Sequence, residues 1–221
     1  MYLTKNNSRA EKMQQYLFNN QPYPFKEPDY AFFLIRLEDE QSESTVFSFL
    51  EELIPEAIPL KIDSDYVLFY FTDIDSGFKD MFLSVSDDFA INLKVYASGR
   101  ISASRPENFH TLYHNVKKLL LNKPFRFASN ADLISEVLRT DVRKMKELKV
   151  AVLNRINDDS QMEKLILAMF NNNLNVTQTA KDVYMHRNTI INKLEYIRRE
   201  TGLNLQNFKD ATCLYWLFKM K

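Results

Sequence analysis

Hydrophobic residues recur at helical and strand spacings along most of the chain, and these spacings divide it into regions. Helical spacing lies within residues 1–20 and is followed by a proline-containing break. Between residues 30 and 127, apolar runs typical of strands alternate with apolar residues at three-and-four spacing. The predicted order is β-α-β-β-α-β-α, which is the split-βαβ plan of an α+β domain. Beyond Pro124 the pattern predicts helices throughout.

A connecting helix is predicted before residue 160, and two roles for it remain open. Its apolar positions are Val142, Met145, Leu148, Val152 and Ile156. These residues either pair two subunits or pack against the rest of their own chain. The segment Asp158-Asp159-Ser160 then marks a boundary.

The last sixty or so residues have the most informative spacing. A helix from residue 161 is predicted to stop at the polar turn 171–173, and a short second helix follows with Thr177 as its cap. The residues predicted to point inward on this second helix are Val176, Ala180, Val183 and Tyr184. A third helix is predicted over about 186–201, with Gly202 as a left-handed C-cap, and a fourth helix ends the chain. The inward positions predicted for the third helix are Ile190, Leu194, Ile197 and Thr201.

Two short helices joined by a tight turn, with a small residue such as Ala180 at their crossing, predict a helix-turn-helix. In that motif the N-terminal residues of the second helix meet base edges in the major groove. Here those positions read Met-His-Arg-Asn-Thr, residues 185–189. Arg187 suits guanine and Asn188 suits adenine. Helix hairpins with polar outer faces are common, so the spacing alone leaves protein binding open as well.

Charge is distributed unevenly along the chain. The whole sequence has 29 Lys/Arg and 29 Asp/Glu, so the net charge is zero. Residues 161–221 contain nine Lys/Arg against five Asp/Glu, a net charge of +4, which leaves −4 for the remainder. A basic C-terminal segment is what contact with phosphates requires.

Other candidate chemistry is weaker. The three glycines stand far apart, which argues against a glycine-rich phosphate loop, and the single cysteine, Cys213, is expected in the core. Asp63 and Asp65 could hold a cation but are first of all good turn formers. His110 and His114 have a spacing that metals use, without a third ligand at motif spacing. We therefore predict no catalytic residues, no metal and no cofactor.

The stretch 173–205 resembles the C-terminal helix-turn-helix of the PucR/CdaR family of bacterial regulators, and more distantly the factor for inversion stimulation. The elements that carry the resemblance are Asn175, Ala180, His186-Arg187-Asn188-Thr189, Leu194, Ile197 and Thr201-Gly202-Leu203. Where family members often have Arg-Tyr-Arg, this chain has Ile191-Asn192-Lys193. That departure removes an arginine that is expected to contact the DNA backbone.

The resemblance implies roles for particular residues. His186 would open the recognition helix, Arg187 would reach bases, and the start of the preceding helix would touch phosphates. With Asn188 from the groove-facing edge, the predicted DNA-binding residues are Thr177, Gln178, His186, Arg187, Asn188, Thr189, Asn192 and Lys193. In the same family the upstream segment often resembles a degenerate GGDEF domain of βαββαβ order. The hairpin here has no glycine, so enzyme activity is not expected.

We predict a cytoplasmic transcriptional regulator that binds double-stranded DNA as a homodimer, without a leader or membrane span. The predicted fold is an α+β N-terminal domain (ferredoxin-like, or degenerate GGDEF-like) followed by an all-α helix-turn-helix domain. The predicted units are a helical segment at 1–28, the α+β domain at 29–128, a helical connector at 129–160 and the DNA-binding domain at 161–221. The α+β domain is expected to dimerise or to sense an unidentified small-molecule effector. Two alternatives are an enzyme of nucleotide-cyclase descent and a protein-interaction adaptor that does not bind DNA.

Overall fold

The structure is a computed structural model that describes residues 7–38, 43–74 and 77–219. The predicted units at 1–28 and 161–221 extend at their outer ends beyond the described residues. The described residues form six strands: β1 (Asp29–Leu37), β2 (Ile58–Ile62), β3 (Asp65–Tyr70), β4 (Leu93–Ala97), β5 (Ile101–Ser102) and β6 (Phe127–Ser129). The helices before residue 160 are α1 (Asn7–Phe18), α2 (Glu43–Leu53), α3 (Phe78–Asp88), α4 (Pro106–Asn122), α5 (Asn130–Thr140) and α6 (Met145–Leu153). Those after it are α7 (Ser160–Asn171), α8 (Val176–Asp182), α9 (Arg187–Thr201) and α10 (Phe208–Lys219).

The strands form one sheet in the order β2-β3-β1-β4-β6, with β5 pairing with β1. The pairs among the first four strands are antiparallel, and β4 pairs with β6 in parallel. Strand β1 is central, where Phe33 stands opposite Leu68 on β3 and Ala97 on β4. Its run of consecutive apolar residues is buried on both sides, as expected for a strand with both faces covered.

Each face of the sheet is covered by helices. Helices α2 and α3 cover one face, where residues such as Phe47 and Phe82 pack on Phe33 and Val95. The other face packs on α4 and, through α5 and α6, on the C-terminal helices. Buried residues from Met13 to Leu217 belong to this second core, so the sheet and the helix-turn-helix share one hydrophobic interior.

The prediction that the chain is helical throughout beyond Pro124 is wrong, because Phe127–Ser129 form β6. The strand is three residues long, which is too short to produce a recognisable alternation of apolar and polar residues. Strand β5 is even shorter and was missed for the same reason. These segments are strands only because β6 pairs with β4 and β5 pairs with β1.

The connecting segment packs against its own chain. It is not one helix: a 3-10 turn at Val142–Lys144 precedes α6, and another at Asn154–Asp158 follows it. Met145, Leu148 and Val152 are at most 1% exposed and lie in the second core. Ile156 is buried as well, whereas Val142 is 48% exposed. Four of the five predicted positions therefore pack within their own chain. Among the described helices none is both long and apolar enough to cross a membrane.

Candidate DNA-binding surface

Helices α7 and α8 are joined by a turn that uses polar residues at each end. Asp159 caps α7 by accepting hydrogen bonds from the backbone N–H groups of Gln161 and Met162. The turn passes through Asn173 and Leu174, whose φ angles are 51° and 62°. Asn175 then caps α8, its side-chain oxygen accepting from the Gln178 N–H at 3.0 Å. The cap predicted at Thr177 is therefore wrong, since Thr177 lies inside the first turn of α8 and Asn175 occupies the cap position.

The turn between α8 and α9 brings the two helices of the motif together. Ala180 is buried at their crossing, and its carbonyl accepts a hydrogen bond from the Met185 N–H at 2.9 Å. Tyr184 was predicted to point inward, yet it is 96% exposed and has a φ of 53°. The left-handed backbone of the turn rotates this side chain away from the core, which helical spacing cannot reveal.

Helix α9 has one buried and one exposed side. Its predicted inward positions, Ile190, Leu194, Ile197 and Thr201, are all buried. Gly202 has a φ of 67° and is the left-handed C-cap predicted for it. His186 caps the first turn, with Nδ1 accepting from the Asn188 N–H at 3.2 Å. The predicted helix and its inward stripe are thus confirmed.

The eight residues predicted to bind DNA all lie at the surface. Thr177 and Gln178 are exposed in the first turn of α8, and residues 186–189 are exposed at the start of α9. Asn192 is exposed one turn later, and the neighbouring Lys193 is half-buried. Among the described residues, the side chains of Arg187, Thr189, Asn192 and Lys193 make no hydrogen bond or ion pair. Unpaired donors at a helix N-terminus are free to bind phosphates or base edges.

The other end of α9 is held against the sheet. The Glu200 carbonyl accepts from the Arg100 N–H at 2.9 Å, and the Thr201 carbonyl accepts from Asn130 Nδ2 at 2.7 Å. Gly99 lies so close that a Cβ there would stand 2.5 Å from the Glu200 carbonyl oxygen. This contact between the β4–β5 loop and α9 was not predicted, because it joins residues about a hundred positions apart.

A polar cluster that is buried at Arg100 and Glu200 and reaches the surface at Asp73 surrounds this contact. The Arg100 guanidinium pairs with Asp73 at 2.7 Å and lies 3.6 Å from Asp29, which also pairs with Arg155 at 3.0 Å. Glu200 is 1% exposed, and one of its oxygens accepts from Asn154 Nδ2 at 3.3 Å. Burial raises the pKa of the Glu200 carboxyl, and the nearby Asp29 carboxylate raises it further. The cluster links charged groups of the sheet unit to the last turn of α9.

Four of the other candidate residues, Asp63, Asp65, His110 and Cys213, have structural partners. Asp65 is fully buried against Arg36, and Asp63 pairs with Lys117 at 2.5 Å. His110 Nε2 lies 2.8 Å from the Leu17 carbonyl oxygen. Cys213 is buried, its thiol donates to the Ala131 carbonyl at 3.4 Å, and burial raises its pKa. Within the described ranges, no three metal-ligating side chains of the His, Cys, Asp and Glu types come together.

Helices α7 to α10 have the arrangement of a helix-turn-helix module. Residues 164–220 match the family described as the PucR C-terminal helix-turn-helix domain. The C-terminal part of the chain is therefore a PucR-type helix-turn-helix domain, which confirms the resemblance to the PucR/CdaR family.

Two similar proteins each match less than a third of this chain. The carbohydrate diacid regulator of Escherichia coli (strain K12) is 33% identical over 66 residues, which are 30% of this chain and 17% of the relative. A leucine-rich protein of Streptococcus dysgalactiae subsp. equisimilis is 33% identical over 66 residues, 30% of this chain and 23% of the relative. The chain thus matches less than a quarter of the length of these two relatives.

The similarity to one solved structure covers more of the chain. The regulator of polyketide synthase expression from Bifidobacterium adolescentis covers 87% of this chain and 79% of its own. The identity is 15% and the TM-score 0.38, too low a similarity to bear on the fold.

Proposed function

We propose that this protein is a sequence-specific DNA-binding transcriptional regulator and that α9 is its recognition helix in the major groove. One observation carries the proposal. Helix α9 buries its apolar stripe and leaves the polar first turn, Arg187 to Thr189, exposed and without side-chain partners among the described residues. The PucR-type family match over the same residues supports this reading.

The proposed contacts follow from the position of each side chain. Arg187 and Asn188, at the start of α9, read base edges. Thr189, Asn192 and Lys193 contact bases or the phosphate backbone, and His186 adds its outward Nε2–H. Thr177 and Gln178 bind phosphate with the N-terminus of α8, on the other side of the motif.

We further propose that the N-terminal unit is a ferredoxin-like domain, as in degenerate GGDEF domains. The antiparallel order β2-β3-β1-β4 supports this assignment, as does the packing of α2 and α3 on the same face. The proposed units remain 1–28, 29–128, 129–160 and 161–221, although their cores are continuous. This domain would dimerise the protein or sense a small molecule in the cytoplasm, and no enzymatic turnover is expected.

Selection of bound duplexes from a random pool with the full-length protein tests the proposal. A homodimer would recover two related half-sites about one helical turn apart, because each module makes few base contacts. Affinity for the recovered site should fall steeply with salt. Recovery of no consensus at low salt would contradict sequence-specific binding and favour the adaptor alternative. A single unrepeated half-site would contradict the homodimer only.

A further inference from the structure

A cleft of about 650 Å³ lies between the sheet and the outward side of α9. We call it the junction cleft. Tyr70 and Phe78 lie on its sheet side, Asn192 and Arg199 on its α9 side, and Arg100 between them. Its size is within the usual range of small-molecule sites, and such sites often form where two structural units meet.

The sheet side of the junction cleft is aromatic. The Phe33 ring stacks on Tyr70 with centroids 4.8 Å apart and on Phe78 with centroids 4.6 Å apart. Phe127 on β6 and Ala97 on β4 extend this wall. A wall of stacked rings and small aliphatic groups favours a flat apolar body over a sugar or a nucleotide phosphate.

Of the cationic groups that line the junction cleft, Arg199 and Lys79 lack a hydrogen-bond acceptor among the described residues. Arg100 is bonded to Asp73, and Arg198 is bonded to Glu195 at 2.9 Å. The Arg199 guanidinium instead lies 3.8 Å from the nearest Glu200 oxygen and 4.0 Å from that of Asp73, beyond hydrogen-bonding distance. Lys79, across the cleft, forms no ion pair with any described residue. The lining also includes the carboxylates of Asp73, Glu195 and Asp210. Asp73 pairs with Arg100 and Glu195 with Arg198. Arg199 and Lys79 are therefore the cations left for a carboxylate, which Arg and Lys bind by charge-assisted hydrogen bonds.

We propose that the junction cleft binds a small organic acid with a flat apolar body, its carboxylate held by Arg199 and Lys79. The regulatory part rests on the proposed function. Asn192 both lines the cleft and belongs to the proposed DNA surface, so an occupant beside it competes with the duplex. Ligand binding therefore weakens DNA binding, and DNA weakens ligand binding by the same factor.

The chain offers a direct test because it contains only three glycines, of which Gly99 and Gly202 line the junction cleft. Full-length protein labelled with ¹⁵N-glycine is titrated with sodium benzoate at constant ionic strength. The Gly99 and Gly202 amide signals should shift saturably. Benzyl alcohol, which has the same ring without the charge, should bind about tenfold more weakly.

A matched pair of variants locates the carboxylate. K79Q/R199Q should weaken benzoate binding by at least about tenfold, because two charge-assisted donors are lost. R143Q/K146Q removes the same charge from exposed positions outside the cleft and should bind as the unmodified protein does. Absence of glycine shifts, an equal response to benzyl alcohol, or unchanged binding by K79Q/R199Q would each overturn the proposed site.

A second measurement separates the site from its regulatory role. Saturating benzoate, compared with an equal concentration of sodium chloride, should raise the Kd for the selected duplex by about fivefold or more. Benzoate binding without a change in that Kd would overturn the regulation and leave the site standing. If the protein binds no duplex at all, the proposed function fails, while the glycine titration still decides whether the cleft binds acids.

Discussion

The two ends of α9 are built for different purposes. At the N-terminal end, Arg187 to Thr189 are exposed, and their side chains have no partners among the described residues. At the C-terminal end, Glu200 and Thr201 are buried, and their carbonyls accept hydrogen bonds from Arg100 and Asn130. A single helix therefore has an exposed N-terminal end and a C-terminal end that is held by hydrogen bonds to Arg100 and Asn130. Because a helix is stiff over this length, the sheet unit sets the direction in which the free end points.

A substitution at Gly99 should disrupt the contact that holds the C-terminal end of α9. Gly99→Ala places a methyl group 2.5 Å from the Glu200 carbonyl oxygen, and the backbone atoms it meets cannot move aside as a flexible side chain would. We expect the free energy of unfolding to fall by about 1–3 kcal/mol, as for overpacked interiors. Urea unfolding of the variant and the unmodified protein measures this difference in the free energy of unfolding.

Gly77→Ala is the matched control for that change, since Gly77 has a φ of −72° that any residue adopts. It should change stability much less. Equal stability of Gly99→Ala and the unmodified protein would contradict the close approach of the β4–β5 loop to α9.

The free end can be tested at Arg187. Arg187→Ala should weaken binding to the selected site by about 1–3 kcal/mol, the discrimination carried by one good bidentate contact. Binding to random duplex should weaken less, and the free energy of unfolding should stay nearly constant because the side chain is exposed. Fluorescence anisotropy with both duplexes provides the comparison. Equal losses on the two duplexes would refute base reading by Arg187 and leave it a phosphate contact.

Asn175, which caps α8, can be compared with Thr177, an exposed residue two positions later. Asn175→Ala should cost about 1 kcal/mol of stability, because the Gln178 N–H loses its acceptor. Thr177→Ala removes an exposed side chain outside the cap and should change stability by under about 0.5 kcal/mol. Thermal unfolding of both variants decides between them. A larger loss in Thr177→Ala would restore the cap predicted from the sequence.

The smallest effect is expected at Glu200, where burial raises the carboxyl pKa. The folded state then holds this proton more tightly than the unfolded state, so the contribution of Glu200 to stability is greatest below its unfolded pKa. That contribution is lost as the pH rises through the higher folded pKa. Glu200→Gln should therefore gain stability relative to the unmodified protein as the pH is raised from about 4 to 7. Urea unfolding across this range measures the gain, and a constant difference would contradict the shift.

Local spacing predicted much of the C-terminal domain correctly. The inward stripe of α9 and the C-cap at Gly202 depend on contacts within one or two turns, which periodicity records. Two errors had local causes as well. Asn175 competes with Thr177 for the cap, and the left-handed φ of Tyr184 turns an apparently inward position outward.

The amino-acid sequence alone determined which residues form the polar edge of the recognition helix, because that edge follows from helical spacing and from His186-Arg187-Asn188-Thr189. It also determined most strands of the α+β unit, since their apolar runs are long enough to read. Tertiary structure alone decided that Phe127–Ser129 join the sheet, that Gly99 meets Glu200, and that a cleft opens between Phe78 and Arg199. These features bring together residues from 32 to 121 positions apart, and their cost in chain entropy is met only when the whole core forms.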